Sequence, residues 1–321
     1  MSGRKKIYLY VMVILTLSVL LAACAAPTPV VEVVKETVIV TEKEEVLVTP
    51  TMEPAPESPT LAKGLESGLF YVGNIQEPPF SYVDAEGVLT GIDADIARYI
   101  ANELGVEDLV SVHTAWDGLI PGLLAGRTDL LAVGMAIRPQ RCEVVAFTNP
   151  YHIMAPTALV EKGNPFDIHS FEDMATHTDL MAGGMSGSVD AEVLREFLPE
   201  DQILTYDEIS LAFEDLKAGR LDVVVGTSPS LNDWLIGTDM VDQFEIASAW
   251  EWPVDYIIPS GLVFRQEDLA LVEMANEILE AMKADGTIVQ IAKDNGFPVD
   301  TLAPPCAESE VGCMSFYCPA E

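Results

Sequence analysis

The sequence predicts an α/β protein of two similar lobes, each a doubly wound sheet flanked by helices, with a ligand cleft between them. Three observations lead there. The stretch Trp116 to Tyr151 reads as a short helix (Leu119 to Ala125), a Gly126-Arg127-Thr128-Asp129 turn and a buried apolar strand (Leu130 to Val133). The same unit recurs, since Leu123-Leu124-Ala125-Gly126-Arg127-Thr128-Asp129-Leu130 is echoed by Leu216-Lys217-Ala218-Gly219-Arg220-Leu221-Asp222-Val223. In both copies a helix ends at a glycine suited to the left-handed C-cap position, and an apolar strand follows at once. Finally, the continuous apolar runs Ala155 to Val160 and Ile257 to Phe264 suit two strands that cross between lobes and form a hinge. Ligands of open α/β sheets sit just beyond the carboxyl ends of the strands. Gly134 to Arg141 follows the first strand and Gly226-Thr227-Ser228-Pro229 the second, so both loops are expected at the cleft.

The first residues address the chain to the outside of a membrane. Arg4, Lys5 and Lys6 precede an apolar run, Ile7 to Leu21, which stops at Leu21-Ala22-Ala23-Cys24. A basic start, a short apolar segment and small residues before a cut site make a secretory signal over residues 1–23. About fifteen apolar residues are short of the ~20 that a membrane-crossing helix needs. The cysteine at the cut resembles the lipobox of bacterial lipoproteins, which implies a diacylglycerol on Cys24 and tethering at an extracytoplasmic membrane face. Residues 24–62 then hold Pro27, Pro29, Pro50, Pro54, Pro56 and Pro59 among Glu and Thr, with no aromatic. Such a composition buries too little apolar surface to offset its ordering entropy, so a flexible tether is expected.

About 240 residues remain, enough for two domains of ordinary size. We expect lobe 1 at 63–156 and again at 255–304, lobe 2 at 157–254, and a cysteine-rich tail at 305–321. A formal charge of −34 leaves no basic stripe to meet phosphates, which excludes nucleic acid as a partner. It also repels anionic lipid heads, so membrane contact is expected through the lipid anchor alone. Lobe 1 should begin with a strand at Leu69 to Gly73 and a helix near Asp93 to Leu104, whose apolar residues recur with the helical period. Asp93 and Asp95 read as helix-start acids favoured by the macrodipole. The helices Glu267 to Ala284 and Thr287 to Asp294, closed by Gly286 and Gly296, should complete lobe 1.

The run from Trp116, with an aromatic before Leu-Ile-Pro, then Gly-x-x-Asp, a strand, and Arg141 seven residues after Gly134, resembles the solute-binding proteins of polar amino-acid ABC importers (bacterial solute-binding protein family 3). Gly91-Ile92-Asp93-Ala94-Asp95-Ile96-Ala97 is also similar to that family's pattern. The resemblance implies the two-lobed type II periplasmic-binding-protein fold with a discontinuous first lobe. It implies capture of a small carboxylate, an amino acid or a derivative of one, by lobe closure, and delivery to an ABC permease and its ATPase. Arg141 matches the arginine that clamps the ligand carboxylate, a task suited to the planar guanidinium fork. Trp116 matches the aromatic wall of the pocket. Ser186, Gly187 and Ser188, in a glycine-rich turn before a helix that begins near Val189, match a second grip on the carboxylate. Backbone N–H groups and the positive dipole end suit an anion there.

The departures matter as much. Thr227 stands where the family has an ammonium-holding Asp, and Ala136 where it usually has Ser or Thr. Glu77 replaces an aromatic ahead of Pro78, Pro79 and Phe80, and Asn74 replaces an Asp. Either Glu77 takes the positive end of the ligand or the ligand lacks a usual α-amino group; an exposed loop acid is the third possibility. His113, His152, His169 and His177 form no metal-binding spacing, so neither a metal nor a cofactor is expected. A binding module rather than an enzyme is expected, and a monomer; the alternative is a dehydratase of prephenate-like acids, for which Glu77 is the candidate acid or base. A sensor would need a membrane-spanning partner domain. Outside the cell thiols tend to pair. With Cys24 lipidated, a disulfide is expected among Cys306, Cys313 and Cys318, with the remaining thiol within reach of Cys142.

Overall fold

The computed structural model of the chain describes residues 58–251, 258–309 and 314–317. The expected leader, most of the tether, Cys24, Cys313 and Cys318 lie outside the described residues. One end of the expected tether does not: residues from Pro59 form a helix, Pro59–Ser67. Ser58 caps it, its hydroxyl accepting from Leu61 N–H at 3.2 Å, and proline occupies the first turn where its missing donor costs nothing. Ser58 and Thr60 are buried and donate to Asp268 at 2.9 and 2.7 Å. The helix is thereby locked to the body, which proline content alone could not reveal.

Fourteen strands occur among the described residues. In lobe 1 they are β1 (Leu69–Asn74), β2 (Tyr82–Val83), β3 (Leu89–Thr90), β4 (Asp108–His113), β5 (Leu130–Leu131) and β6 (Val145–Phe147). They are followed by β7 (His152–Met154), β8 (Pro156–Glu161), β9 (Ala182–Met185), β10 (Ile203–Tyr206), β11 (Val223–Thr227) and β12 (Phe244–Ile246). The last two are β13 (Ile258–Ser260) and β14 (Val263–Arg265). Two five-stranded sheets result, ordered β4-β1-β5-β14-β6 and β10-β9-β11-β8-β12. Their pairing is the same: β1 is parallel to β4 and β5, β9 is parallel to β10 and β11, and the next strand, β14 or β8, runs antiparallel. The two lobes are therefore two copies of one plan.

Helix Ile92–Glu103 covers one face of the first sheet with Ile92, Ile96 and Ile100 fully buried. Leu269–Asp285 and Thr287–Asp294 pack into the same apolar cluster. The short helix Leu119–Leu124 covers the opposite face, where Leu119, Leu123, Leu131 and Phe147 are buried with Trp116. In the second sheet, helices Val189–Phe197 and Ile209–Lys217 supply opposite clusters. At about 25 cal/mol per Å² of buried apolar area, these two-sided cores dominate the stability of each lobe.

The crossing between lobes differs from expectation. The run Ala155 to Val160 falls mostly on β8, an interior strand of the second sheet paired with β11 and β12. The strands that pair between the sheets are β7 and β13, joined antiparallel from His152↔Ser260 to Ile258↔Met154. The expected second run breaks at Gly261 into β13 and β14, and β14 already belongs to the first sheet. A strand buried on both faces reads as an unbroken apolar run, just as a hinge strand does, so composition could not separate them. The ladder of β5 likewise covers Leu130–Leu131 only, short of the expected Val133.

Candidate functional site

The lobes meet around a cavity of about 40 Å³ lined by residues of both. Lobe 1 supplies Glu77, Phe80, Trp116, Gly134, Ala136 and Arg141; lobe 2 supplies Met185, Ser188, Val189, Asp190 and Thr227. The cavity has room for a few waters, so a larger occupant requires the lobes to part.

Each lining group follows from local structure. Trp116 opens the short turn Trp116–Gly118 that leads into helix Leu119–Leu124, and it is 9 % exposed. Its indole Nε1 donates across the cleft to the carbonyl of Gly187 at 3.1 Å. Gly134 follows β5 at φ +61°, a left-handed conformation that a side chain disfavours, and aims the loop back toward the cleft. Its carbonyl accepts from Ser260 at 3.0 Å. Proline at the first position starts the four-residue helix Pro139–Cys142, which holds Arg141. The Arg141 guanidinium donates to the Ala136 carbonyl at 3.1 Å and to Gly187 at 3.3 Å, and it lies 5.7 Å from the Trp116 ring centre. One arginine thus joins its own loop, the aromatic wall and the opposite lobe.

In lobe 2, Ser188 is the N-cap of helix Val189–Phe197, accepting from Asp190 N–H at 3.1 Å and donating to Met185 at 2.7 Å. Asp190 lies one residue inside that helix, 8 % exposed, and turns toward the cavity. Thr227 ends β11, and its hydroxyl is buried with no hydrogen-bond partner among the described residues.

The cavity brings one cation and two buried acids together. Burial pushes the Glu77 carboxyl up to about 8, helped by the charge of Asp190, against a hydrogen bond from Ser230 and with a further push from Asp93. Burial likewise raises Asp190 to about 7, against its bond with Ser188. Arg141 is lowered by burial, and the charges acting on it are Glu192 and Arg138 rather than these acids. One cationic and two acidic groups therefore line one enclosure.

Not every expected site residue lines it. Asn74 is fully buried at the end of β1, and its amide is spent on the Ile75 carbonyl (3.1 Å) and the Ser111 hydroxyl (2.7 Å). It shapes the sheet edge, a correction to its expected place at the ligand. Ser186 and Gly187 also lie off the cavity. The Ser186 hydroxyl donates to Asp117 at 3.2 Å, and the Gly187 carbonyl receives Trp116 and Arg141, so this turn fastens lobe to lobe.

Two groups were missed by sequence reasoning. Asp190 lay beside the glycine-rich turn, two residues after the cap serine, and that spacing was its only signal. Asp93 was expected as a helix-start acid, and it does sit in the first turn of Ile92–Glu103. It is also fully buried, accepting from the Tyr151 hydroxyl and lying 3.3 Å from His152 Nε2. His152 in turn packs between Phe80 (5.6 Å) and Phe297 (5.3 Å). Residues 58 positions apart meet there, beyond the reach of any local pattern. Among the described residues no group of His, Cys, Asp and Glu is arranged to hold a metal ion, and no helix is long and apolar enough to cross a membrane. Cys142 and Cys306 are both disulfide-bonded.

Comparison with known proteins agrees with this architecture. A probable amino-acid ABC transporter periplasmic-binding protein of Sinorhizobium fredii is 31 % identical over 251 residues, 76 % of this chain and 82 % of its own length. The solved structure of EhuB in complex with hydroxyectoine superposes with a TM-score of 0.71 at 28 % identity, covering 81 % of this chain and 98 % of that one. An ancestral amino acid-binding protein, a precursor of cyclohexadienyl dehydratase, gives 0.65 at 32 % identity over 74 % of this chain and 99 % of that one. The sequence profile of the bacterial extracellular solute-binding proteins, family 3, matches residues 71–296. The chain belongs to that family and has its two-lobed type II periplasmic-binding-protein fold.

Proposed function

We propose that this solute-binding protein captures a small zwitterion, with one carboxylate and one cationic nitrogen, by lobe closure and hands it to an ABC permease. The observation that carries this is a single cavity lined by one cation, Arg141, and two acids raised by burial, Glu77 and Asp190. Arg141 takes the carboxylate. Glu77, supported by Asp190, takes the cationic nitrogen in place of the aspartate that Thr227 displaces. Trp116 and Phe80 pack the apolar body between them. Thr227 offers a hydroxyl still without a partner among the described residues. The amino-acid relatives and the hydroxyectoine complex support this ligand class, since such ligands carry both charges. A ligand touching both lobes stabilises the closed state by its differential affinity for it.

The ionisable groups have a binding role on this reading, and no turnover is assigned to the cleft. On this reading the first lobe runs from Pro59 to about 155 and resumes at about 258, and the second spans about 156–251. The chain acts as a monomer, held at the membrane by lipid on Cys24; a Cys24→Ser variant that stayed with the membrane fraction would refute the anchor. For the ligand class, the test is a thermal-shift series with arginine, hydroxyectoine and plain carboxylic acids of matched size. A ligand at 100 times its Kd adds ~2.7 kcal/mol of stability. Zwitterions should shift the midpoint and plain acids should not; equal shifts from plain acids would contradict the proposal.

A further inference from the structure

The C-terminal tail lies beyond the family match, which ends at residue 296, yet it packs back on the segment that follows the arginine of the cleft. Ala303 N–H bonds to the Tyr151 carbonyl at 3.0 Å, and Cys306 N–H bonds to Glu280 at 2.8 Å. Glu280 also accepts from the Asn149 side chain at 3.1 Å, and Asn149 accepts from Met314 N–H at 3.0 Å. Met314 and Cys142 each pack against the apolar cluster that holds Trp116. Cys142 is the last residue of the four-residue helix that presents Arg141, and it is disulfide-bonded. The chain has five cysteines. Apart from Cys24 at the expected lipidation site, every other possible partner of Cys142 is in the tail, at 306, 313 or 318.

We propose that Cys142 is a positioning residue for Arg141, and that its disulfide to a tail cysteine fixes the Pro139–Cys142 turn so that the guanidinium faces the cleft. Physical need supports this. A helix of one turn has almost no stability of its own. The turn has exposed residues on its outer side, and the Gln266 bond to the Cys142 carbonyl (3.0 Å) is an exposed hold as well. Arg141 must nevertheless stay aimed while the opposite lobe moves away, because its bond to Gly187 is lost when the cleft opens. A covalent cross-link to a tail that is itself bonded to Asn149 and Glu280 supplies a restraint that does not depend on closure. Sites held by a supporting shell of this kind lose affinity when the shell loosens, though the contacting residue is unchanged.

The test reads the arginine directly and needs no ligand. The full chain is treated with phenylglyoxal, and modification of each arginine is followed by mass spectrometry in wild type, in wild type reduced with a phosphine, and in Cys142→Ser. Arg127, which is exposed, and Arg265, bonded to the carbonyls of Leu123 (3.1 Å) and Thr128 (2.8 Å), are internal references. Arg141 modification should accelerate severalfold in both the reduced protein and the variant. Arg265 should stay slow and Arg127 unchanged. An unaltered Arg141 rate would overturn the proposal. So would Arg141 and Arg265 rising together, which marks a staple of the whole fold. The ligand assignment rests on Arg141 as well, but it fails through affinity, and this readout fails without any ligand present.

Discussion

The two helix-turn-strand units, one in each lobe, begin from nearly the same residues and end in different loops. Gly126 and Gly219 both take the left-handed conformation, at φ +71° and +67°, and each hands the chain to a buried strand parallel to its neighbour. After β5 the chain makes a second glycine turn and wanders through Ala136 to the short helix of Arg141. After β11 it enters helix Ser228–Gly237 directly, leaving only Thr227 at the cleft. One plan has therefore been given a long charged loop in lobe 1 and a short neutral one in lobe 2. The longer loop is anchored as well as charged: Val133, Met135 and Ile137 are buried in the cluster that holds Trp116, while Arg141 stands at the cleft.

That difference between the loops can be broken by substitution. Arg141→Ala should have the largest effect on binding, a loss of ~3–5 kcal/mol or roughly two to four decades in affinity, as for truncation of one member of a buried charge pair. Its melting temperature should be nearly unchanged, because the guanidinium bonds only two carbonyls at the cleft. Calorimetry paired with thermal unfolding checks both halves. Thr227→Val, the corresponding change in lobe 2, should cost about 0.5–1.5 kcal/mol of binding, the net worth of one neutral hydrogen bond. Comparable losses at the two positions would erase the distinction between the loops.

The buried acids make a prediction about pH with a definite sign. Glu77 at about 8 and Asp190 at about 7 are both raised, so the ligand-free native state holds protons that the unfolded chain has released. Their contribution to stability is full below the ordinary carboxyl range and is lost as pH rises through 7 to 8. A cationic nitrogen needs these acids charged, so affinity should rise over the same interval while the stability of the free protein falls. Titration calorimetry at pH 7 in two buffers of different ionisation heat should show proton release on binding; proton uptake would contradict the assignment. The smallest expected effects lie in the repeated unit. Gly126→Ala and Gly219→Ala should each lower stability by about 1–2 kcal/mol, the cost of a left-handed side chain, and leave affinity alone. A markedly larger cost at one of them would show that the units are not equivalent.

Much of this was legible in the sequence where function and local geometry coincide. Trp116, Gly134 and Arg141 fall on a turn and a strand end that a few neighbouring residues determine, so their places could be foreseen. Asn74 could not, because whether a strand-end amide faces a ligand or Ser111 depends on register with β4, a long-range pairing. Ser186 was misplaced for a similar reason: its partner, Asp117, comes from the other lobe. The Asp93–His152–Tyr151 cluster is invisible locally because helix Ile92–Glu103 meets β7 only after folding. The same applies to the hinge, where an apolar run signals burial and not which sheet will claim the strand.

Calorimetry decides whether Glu77 and Arg141 hold the two charges of a zwitterion. The best-binding amino acid and its deaminated analogue are titrated into wild type and Glu77→Gln. The substitution should weaken the amino-bearing ligand by about 1.5–3 kcal/mol, the worth of a hydrogen bond to a charged group, and the analogue by under ~0.5 kcal/mol. Equal losses for the two ligands would contradict that role of Glu77.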